Sequence, residues 1–458
     1  MFKKGDIIEL EIEKLVFEGY GLARKKVNDL DFVIFVENVC DGDVVLAEIT
    51  KLKKNYAYAK MKEIIKPSKH RVEPFCPLHN ACGGCQWGFI SYNHQLEVKQ
   101  NIVKEILSNA LGEDIKVDKT LASPKIKEFR HKIQMPVSQT KNSKRFLIGY
   151  YKKQSHEIVN IKYCPIQSHI IDEITDKIRN AAFDFGVEAY NEIKHKGELR
   201  HVLYRISNNN GNILVCFVVN NNKLSKPIND LAHYVFNEFE IIKGVSVNFN
   251  TSKNNVVLGK KTQNVSGEET YKEKIGEITY IISPDSFFQV NPESFKNILN
   301  KVKELISDRI KNPEILDAYS GVGSFGLYLS DISKNVVCTE IVKNACQNAK
   351  QACEINNIKN VEIIEGDSQN ISEDLIKNKK KFDVVILDPP RKGCTKETLD
   401  FCAKLSKKYI VYVSCNPNSL ARDLKYLKEF GFKIEHAQTA DMFCHTYHVE
   451  TITILSLS

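Results

Sequence analysis

The stretch LDAYSGVGSFG, residues 316–326, decides the fold of the C-terminal part of the chain. It begins at the end of an apolar run and carries Gly321, Gly323 and Gly326 in a G-x-G-x-x-G pattern. Glycines at this spacing let the chain turn sharply after a strand, approach a ligand closely and start a helix. The motif therefore predicts the first strand–turn–helix unit of an α/β domain.

Strand-like and helix-like patterns alternate around this motif, over residues 281–458. Short apolar runs such as NVVCTE (335–340), FDVVILD (382–388) and YIVYVSC (409–415) are rich in valine and isoleucine. Stretches with helical spacing, such as VKNACQNAKQACEIN (342–356), lie between them. This alternation predicts a doubly wound, Rossmann-like domain with a parallel sheet.

Acidic residues follow four successive strand patterns, at Asp317, Glu340, Asp367 and Asp388. Any one of them alone would be interpreted as a helix cap or an exposed charge. Ligands of doubly wound sheets, however, bind outside the carboxyl ends of the strands, and a carboxylate at the position of Glu340 can hold the hydroxyls of a ribose. The acid before the glycines, Asp317, is more typical of an S-adenosylmethionine (SAM) site than of a nicotinamide site, so the sequence predicts SAM.

The segment VSCNP (413–417) places Cys415 at the end of the next strand, facing the same crevice. A cysteine there is most often a core residue, but Glu450 begins the last strand pattern nearby. Beside a methyl donor, these two groups suit methylation at carbon 5 of a pyrimidine. A thiolate adds to carbon 6, carbon 5 becomes nucleophilic, and a base later removes the carbon 5 proton.

The same segment allows another interpretation, in which the H-x-x-H-x-E pattern from His445 to Glu450 binds a metal. A strand would split these residues between its two faces, so the sequence disfavours this interpretation.

A second group of cysteines lies in FCPLHNACGGCQW (75–87), spaced C-x5-C-x2-C. The chain has 13 cysteines and starts without an apolar signal core. We therefore expect a cytoplasmic protein whose cysteines are thiols, ligands or nucleophiles rather than disulfides. Cys164 could supply a fourth ligand, and His79 could compete with it. Zinc and iron–sulfur clusters both accept four thiolates, and the spacing does not separate them.

The N-terminal residues 1–65 contain five short strand patterns separated by the turn signals FEGYG, VNDLD (27–31) and CDGD. Short strands at this spacing predict an OB-like β-barrel. Residues 66–280 mix strand and helix patterns and predict a central α+β domain. A helix over about 89–121 is expected to pack on the catalytic domain.

Basic charge is concentrated in two stretches of a chain whose net charge is +8. Residues 51–71 carry eight Lys and Arg against one acid, and residues 116–153 carry eleven against two. Aromatic residues are interleaved with these charges: Tyr56, Tyr58, Phe129, Phe146, Tyr150 and Tyr151. Such surfaces suit single-stranded or looped RNA, although a solvated lysine-rich surface would have a similar composition. No apolar run reaches 18 residues, so no membrane span is expected.

Five segments, FFQVNP, LDAYSGVGSFG, DPPRKG, VSCNP and HTYHVE, occur here in an order that resembles the RumA/TrmA family of RNA 5-methyluridine methyltransferases. The resemblance implies Cys415 as the nucleophile and Glu450 as the base that removes the carbon 5 proton. It also implies a set of residues that line the SAM site or the target pocket: Gln289, Tyr319, Ser324, Glu340, Asp367 and Asp388. Phe287 or Gln289 would contact a uracil flipped out of its stack.

The N-terminal and cysteine-rich parts also resemble this family. Residues 1–65 are similar to the TRAM domain, an OB-like RNA-binding module. Resemblance to RumA-type enzymes implies a [4Fe–4S] cluster on four residues: Cys76, Cys82, Cys85 and Cys164. The cluster and the TRAM-like domain favour large-subunit (23S) ribosomal RNA as substrate, because the TrmA branch, which acts on the tRNA T-loop, usually lacks both.

Other function classes fit the sequence less well. A radical SAM enzyme needs C-x3-C-x2-C, which this chain lacks. A cytosine carbon 5 methyltransferase of RNA commonly has a cysteine after a proline in the fourth-strand motif, which here reads DPPRKG. A non-catalytic RNA-binding or assembly protein would not need Cys415 and Glu450. Nothing in the sequence indicates an assembly larger than a monomer.

Overall fold

The structure is a computed structural model that describes residues 2–27 and 30–457. The centre of the turn expected at VNDLD lies outside the described residues. Four sheets and nine α-helices are found in the described part of the chain. The order of the parts along the chain agrees with the predicted fold class. An N-terminal barrel-like sheet is followed by an α+β part and then by a doubly wound α/β part.

The first sheet has six strands in the order β1-β5-β6-β4-β3-β2. Their side chains alternate between a buried and an outer face, as the two-residue period of a strand requires; in β5 the buried positions are Val45, Ala47 and Ile49. The predicted first strand is divided in two, which makes six strands from five patterns. The strands are β1 (Ile7–Glu11), β2 (Lys14–Leu15), β3 (Gly21–Val27), β4 (Leu30–Glu37), β5 (Val44–Leu52) and β6 (Tyr56–Lys66).

The helix expected over 89–121 is shorter than predicted. Helix α1 covers Tyr92–Leu111 and ends at Gly112, which has a left-handed backbone. Residues Asp118–Leu121 form strand β7 instead, which pairs in parallel with the edge of the C-terminal sheet. The apolar periodicity of α1 could be recognised in the sequence, whereas the pairing of β7 depends on a strand more than 300 residues away.

The central part is a seven-stranded sheet in the order β10-β9-β8-β11-β12-β13-β14. Strands β11 and β12 are buried along their whole length, because helices and the neighbouring parts cover both faces. The elements are β8 (Lys132–Gln139), β9 (Phe146–Tyr151), β10 (Ile158–Asn160), α2 (His169–Asp184), β11 (Leu199–Ile206), β12 (Ile213–Val219), α3 (Lys226–Glu238), β13 (Ile242–Phe249) and β14 (Lys261–Gly267). A hairpin of β15 (Tyr271–Ile275) and β16 (Ile278–Ile282) leads to the C-terminal part.

The C-terminal part is an eight-stranded sheet in the order β19-β18-β17-β20-β21-β23-β22-β7. Strands β17 to β21 run parallel, and β23 returns antiparallel to β21. The strand order reverses beside β17, so the crevice that binds ligands in such sheets lies there. The elements are α4 (Pro292–Ser307), β17 (Glu314–Asp317), α5 (Ser324–Tyr328), β18 (Asn335–Glu340), α6 (Lys343–Ile355), β19 (Val361–Glu365), α7 (Ser368–Lys377), β20 (Phe382–Leu387), α8 (Lys396–Leu405), β21 (Ser406–Ser414), α9 (Pro417–Lys428), β22 (Phe432–Ala440) and β23 (Glu450–Leu457).

Apolar cores cover both faces of this sheet, one towards α4 and α6 and the other towards α1, α8 and α9. None of the helices in the described residues combines the length and the apolar composition that crossing a membrane requires.

Candidate active site

The glycine loop after β17 has the geometry of a ligand-binding turn. Gly321 and Gly323 have φ angles of 57° and 78°, in the left-handed region that favours glycine. A Cβ atom on Gly321 would meet no atom within 4 Å, so the loop faces open space there. A Cβ atom on Gly326 would lie 2.2 Å from Sγ of Cys338, so this glycine allows α5 to pack closely on β18.

Two carboxylates, those of Asp317 and Glu340, hold this loop through hydrogen bonds to its backbone. The buried Asp317 accepts a hydrogen bond from the Gly326 N–H at 3.0 Å, and burial raises the pKa of its carboxyl to about 7. Glu340, at the end of β18, accepts the N–H groups of Gly321 at 2.9 Å and of Val342 at 2.8 Å. Next to it the side chain of Ile341 is 64% exposed. The edge therefore offers a carboxylate and an uncovered apolar side chain together.

The other residues predicted for the cofactor lie around the same end of the sheet. Tyr319 and Ser324 lie on the glycine loop and at the start of α5, and both are half-buried. Asp367 is exposed and caps α7 by accepting the Gln369 N–H at 3.0 Å, so part of its role is structural. Asp388 directly follows β20, and burial raises the pKa of its carboxyl to about 7.

Gln289 approaches from a different element, the loop between β16 and α4. This loop contacts the start of α6 through a hydrogen bond of 3.2 Å from the Asn344 side-chain amide to the Asp285 carboxylate. Gln289 is half-buried, and the neighbouring Phe287 ring is 62% exposed. The loop therefore lies beside the cofactor edge and presents an uncovered aromatic ring.

Cys415 lies between the end of β21 and the start of α9, and it is half-buried. Asn416 caps the helix by accepting the Asn418 N–H at 3.1 Å, and Pro417 is the first helical residue. The Asn416 amide also donates to the Arg391 carbonyl at 3.0 Å. The thiol is therefore held at a helix start, against the loop that contains Asp388 and Arg391.

Glu450 lies opposite Cys415 on the neighbouring strand. Strands β21 and β23 pair antiparallel up to Ser414 and Thr451, so each of the two residues lies one step beyond this last pair. On its other side Glu450 pairs with Ala440 of β22, and it is buried. The fold thus brings together the two residues that the sequence had separated by 35 positions.

The side chains around Cys415 and Glu450 shift the pKa values of these two residues. Burial, and then the negative charge of Glu450, raise the pKa of the Cys415 thiol to about 12, while the Arg391 guanidinium opposes this shift. Burial and then Asp388 raise the pKa of the Glu450 carboxyl well above its usual range. A cation that enters this group would favour both the thiolate and the carboxylate, because opposite charge stabilises the ionised forms.

The hairpin loop between β22 and β23, residues 441–449, is held from several sides. The buried Lys99 ammonium of α1 donates to the buried Asp441 carboxylate at 2.6 Å and to the Phe443 carbonyl at 3.2 Å. His445 has a left-handed backbone with a φ of 63°, which is strained for a side chain of this size. Its carbonyl accepts the Trp87 N–H at 2.8 Å, and its Nε2 lies 2.8 Å from the Ile126 carbonyl oxygen.

These contacts speak against the metal-binding interpretation of H-x-x-H-x-E. The His445 ring binds the backbone of the central part, whereas the His448 ring lies 3.2 Å from the Arg391 guanidinium. His445, His448 and Glu450 form no common ligand group among the described residues.

The four predicted cluster cysteines line one cavity of about 730 Å³. Cys76, Cys82 and Cys85 lie on the loop before α1, and Cys164 lies after β10. Burial, and then the charges of the other three sulfurs, raise the pKa of the Cys85 thiol to about 12. The donor set therefore fits a group held by four thiolates. In the part of the chain that the structure describes, the four sulfur atoms form no compact group of three ligands, and both zinc and iron–sulfur clusters accept four thiolates.

A cleft with basic and aromatic side chains connects this cavity with the N-terminal sheet. The Lys153 ammonium lies 6.0 Å from the centre of the Tyr20 ring, and Tyr20 packs on Tyr58 at 5.4 Å between ring centres. On the far side, the Tyr447 ring lies 4.3 Å from the His448 ring, near Arg391. Half-buried rings thus extend from the sheet towards Arg391.

The structure adds residues that the sequence interpretation missed. Arg391 is in the quoted DPPRKG segment, so its motif was visible, but its proximity to Cys415 and Glu450 was not. His448 is in the quoted H-x-x-H-x-E pattern and Lys132 is in the basic stretch 116–153, but neither pattern indicated the contacts that these side chains make. The Lys132 ammonium lies 6.0 Å from the centre of the Phe287 ring, and burial lowers its pKa to about 7.

A doubly wound sheet with a glycine loop, an acid at the end of the second strand and a neighbouring cysteine and carboxyl defines the class of SAM-dependent methyltransferases. The family model described as tRNA (Uracil-5-)-methyltransferase matches residues 91–457, and the TRAM domain model matches residues 2–62. The chain therefore belongs to the RNA (uracil-5-)-methyltransferase family, with a TRAM domain at its N-terminal side. The predicted family, enzyme class and TRAM domain are confirmed.

Relatives match the chain along its whole length. An uncharacterized RNA methyltransferase of Clostridium tetani is 39% identical and one of Oceanobacillus iheyensis is 36% identical; each alignment covers 99% of this chain and 97% of the relative. The solved structure of a tRNA (uracil-54, C5)-methyltransferase of Pyrococcus abyssi, in complex with S-adenosyl-L-homocysteine, is 29% identical with a TM-score of 0.77. It covers 98% of this chain and 100% of its own. These similarities support SAM as the methyl donor.

Proposed function

We propose that this enzyme methylates carbon 5 of one uridine in large-subunit (23S) ribosomal RNA, with Cys415 as nucleophile and Glu450 as base. The observation that carries the chemistry is the position of Cys415 and Glu450 at the ends of two paired strands, beside Asp388 and Arg391. A free thiol and a buried carboxyl in this arrangement suit addition to a pyrimidine and later removal of a proton.

The proposed steps balance around the uracil ring. The Cys415 thiolate forms a bond to carbon 6, and the electron pair of the 5,6 double bond makes carbon 5 nucleophilic. SAM, when bound, would supply its methyl group to carbon 5 and leave as S-adenosylhomocysteine. The ionised Glu450 then removes the proton from carbon 5, the double bond re-forms, and the thiolate leaves. Since burial raises the pKa of Glu450, its carboxylate is a stronger base than an exposed one.

The cofactor residues are proposed from their places around the glycine loop. Glu340 would bind the ribose hydroxyls and Ile341 would cover one face of the adenine. Asp388 and Gln289 would contact the methionine part or the target base. The remaining positions in the proposed site are Tyr319, Ser324 and Asp367.

We also propose a [4Fe–4S] cluster on Cys76, Cys82, Cys85 and Cys164. The donor set of four thiols around one cavity supports a thiolate-bound group, and the resemblance of the cysteine-rich segment to RumA-type enzymes favours a cluster over zinc. When bound, such a cluster would cross-link the loop before α1 to the loop after β10.

Transfer RNA is the second candidate substrate, because the similar Pyrococcus abyssi enzyme acts on uracil-54 of tRNA and matches nearly the whole chain. The combination of a TRAM domain with four cluster cysteines supports ribosomal RNA. A non-catalytic role in RNA binding is the remaining alternative from a different class, and the Cys415–Glu450 pair disfavours it.

One experiment separates these candidates. The purified enzyme is incubated with isotope-labelled SAM and either unmodified 23S ribosomal RNA or unmodified tRNA, and the labelled nucleosides are mapped by nuclease digestion and mass spectrometry. We expect labelled 5-methyluridine at one position of the ribosomal RNA. Label in tRNA alone would overturn the substrate and keep the chemistry, whereas no label in either RNA despite SAM binding would support a non-catalytic role.

A further inference from the structure

A second cavity, of about 350 Å³, lies on the central domain outside the candidate active site. Its walls come from the hairpin after β9, the loop after α2, the start of β11 and the loop after β13. Residues that the following paragraphs use are Tyr151, Glu192, Arg200, His201, Lys253 and Val256. The cavity shares Tyr151 and His156 with the larger cysteine-lined cavity, so the two adjoin.

An irregularity of strand β11 aims two neighbouring side chains at this cavity. Successive residues of a regular strand point to opposite faces of the sheet. Between Leu199 and His201 the pairing of β11 with β12 shifts register, because Leu199 pairs with Val219 and His201 with Val218. This bulge allows Arg200 and His201 to line the same cavity. Bulges are over-represented beside functional sites, where they redirect a side chain.

Both side chains are more than nine-tenths buried, yet their polar groups are incompletely paired. Arg200 is 6% exposed and donates through one nitrogen, Nη1, to the carbonyls of Asn250 and Ser252, each at 2.7 Å. Its Nε, and the Nδ1 of the 9% exposed His201, have no hydrogen-bond partner among the described residues. Both atoms are closed off from the cavity surface, so the groups left for a ligand are Nη2 of Arg200 and Nε2 of His201, which have no hydrogen-bond partner in the described part of the chain.

The charge of the cavity is positive. Arg200 forms no ion pair with a carboxylate within the described ranges; it is held by carbonyl oxygens and lies 4.5 Å above the Tyr190 ring. The nearby Glu192 carboxylate already accepts the Tyr151 hydroxyl at 3.1 Å and lies 2.8 Å from Nδ1 of His156. The exposed Lys253 adds a second cation at the rim. An anionic ligand fits this balance.

We propose that this cavity binds one nucleotide of the RNA substrate, away from the methylated uridine. The backbone phosphate would contact Arg200, His201 and Lys253, since a guanidinium suits a phosphate group. The base would lie against Tyr151 and the 56% exposed Val256, because bases pack on aromatic and apolar side chains. This proposal rests on the proposed function, an RNA substrate, and adds a second point at which the RNA is held.

Cross-linking of the full-length enzyme tests where the RNA lies. Unmodified 23S ribosomal RNA and tRNA transcripts that contain 4-thiouridine are bound, irradiated and digested, and the cross-linked peptides are identified by mass spectrometry. We expect cross-links within residues 190–201 or 253–257, and we expect excess unlabelled RNA to prevent them. Prevention by low concentrations of uridine 5′-monophosphate instead would show a site for free nucleotides and overturn the assignment to RNA.

The salt dependence of binding tests the phosphate contact. Each phosphate contact of a single strand contributes about 0.7 to the slope of log K against log salt concentration. We expect Lys253→Gln to lower the slope by about this amount and to raise the KM for RNA several-fold, and His201→Gln to weaken binding in the same direction. Lys311→Gln is the matched control, because Lys311 is exposed and precedes β17, at the opposite end of the sheet from the active site.

Failure of the cavity proposal and failure of the proposed function are distinguished by measuring 5-methyluridine formation with the same preparations. Unchanged slopes in Lys253→Gln and no cross-link at the cavity, with normal 5-methyluridine formation, would overturn the cavity and leave the proposed function intact. Absence of 5-methyluridine with the unaltered enzyme, with cross-links at the cavity, would overturn the proposed function instead and leave RNA binding at this cavity intact.

Discussion

The backbone N–H of Trp87 donates a 2.8 Å hydrogen bond to the carbonyl of His445. Trp87 lies two residues after Cys85, and His445 lies in the hairpin loop that leads to Glu450. The cysteine-rich loop and the hairpin of the proposed base are therefore directly joined. The Phe75 ring, next to Cys76, adds a contact of 4.5 Å to the His445 ring.

Replacing Cys82 tests the cysteine centre. We expect Cys82→Ser to lose iron and sulfide, measured by chemical analysis and by visible absorbance, and to yield less folded protein. Cys444→Ala is the control, because Cys444 is buried in the same apolar cluster as Cys164 without being a proposed ligand. Stoichiometric zinc in place of iron, or an unchanged metal content in Cys82→Ser, would contradict the proposed cluster.

The two catalytic assignments predict different failures. We expect Cys415→Ala to abolish methylation and any covalent RNA adduct, because no thiolate can add to carbon 6. We expect Glu450→Gln to transfer one methyl group and then remain attached to the RNA, because the carbon 5 proton stays in place. Denaturing gel electrophoresis with labelled RNA detects the adduct.

Cys216→Ala serves as the control for these variants, since this buried cysteine lies in β12 of the central sheet. Residual turnover in Cys415→Ala would show that another group is the nucleophile. A Glu450→Gln enzyme that releases its product normally would exclude Glu450 as the base.

The reactivity of Cys415 reports its electrostatic surroundings. Glu450 raises and Arg391 lowers the pKa of this thiol. At pH 9 we therefore expect iodoacetamide to alkylate Cys415 several-fold faster in Glu450→Gln and several-fold more slowly in Arg391→Gln than in the unaltered protein. Peptide mass spectrometry separates Cys415 from the other cysteines. Equal rates in all three proteins would show that the charges do not act on the thiol.

The buried ion pair of Lys99 and Asp441 predicts a non-additive effect on stability. We expect Lys99→Met to lower the free energy of unfolding by about 3–5 kcal/mol, because it leaves a buried carboxylate without its partner. The double variant Lys99→Met/Asp441→Asn should recover much of this loss, because no unpaired charge remains. Urea unfolding followed by fluorescence measures both. Additive losses in the double variant would indicate that the two side chains do not depend on each other.

Glu273 predicts a dependence of stability on pH. This carboxyl is buried in β15, and burial raises its pKa to about 7 while the Asn208 N–H at 2.9 Å partly opposes the shift. The folded state thus binds the proton more tightly than the unfolded state, so the stability contributed by the protonated form is present below pH 4.5 and is lost as the pH rises through 7.

Glu273→Gln removes this titration. We expect the variant to have a higher melting temperature than the unaltered protein at pH 8 and a similar one at pH 5. Glu435→Gln, at the surface of β22, is not expected to show this pattern, because its carboxyl pKa is lowered by the Arg309 side chain. A pH-independent difference for Glu273→Gln would contradict the assignment.

Local patterns of the sequence were sufficient to predict the parallel strands of the methyltransferase sheet, whereas the roles of Cys415 and Glu450 stay predictions. Cys415 directly follows one apolar run and Glu450 directly precedes another, and antiparallel pairing of the two strands brings these ends together. The convergence of Arg391 and His448 could not be predicted, because it depends on the path of two irregular loops. Strand β7 was missed for a similar reason, since four residues carry little periodicity and their pairing partner is distant in the chain.

The bulge in β11 could not be predicted either. The run LRHVLYRI (199–206) has no regular alternation of polar and apolar residues. A break in such an alternation would have marked the shift of register, so the sequence carries no sign of it. Burial of both Arg200 and His201 results from the paired strand and from the carbonyls of the 250–252 loop, which are encoded elsewhere.

Strand β7 also constrains how the chain can fold during its synthesis. Residues 118–121 leave the ribosome early, but β22, the strand they pair with, follows only after the central domain has been made. Until then β7 has an unpaired edge, and α1 lacks the helix α9 on which it packs. The TRAM and central parts can fold first, whereas the methyltransferase sheet closes last. A separately expressed 281–458 fragment would present the edge of β22 uncovered, which favours aggregation.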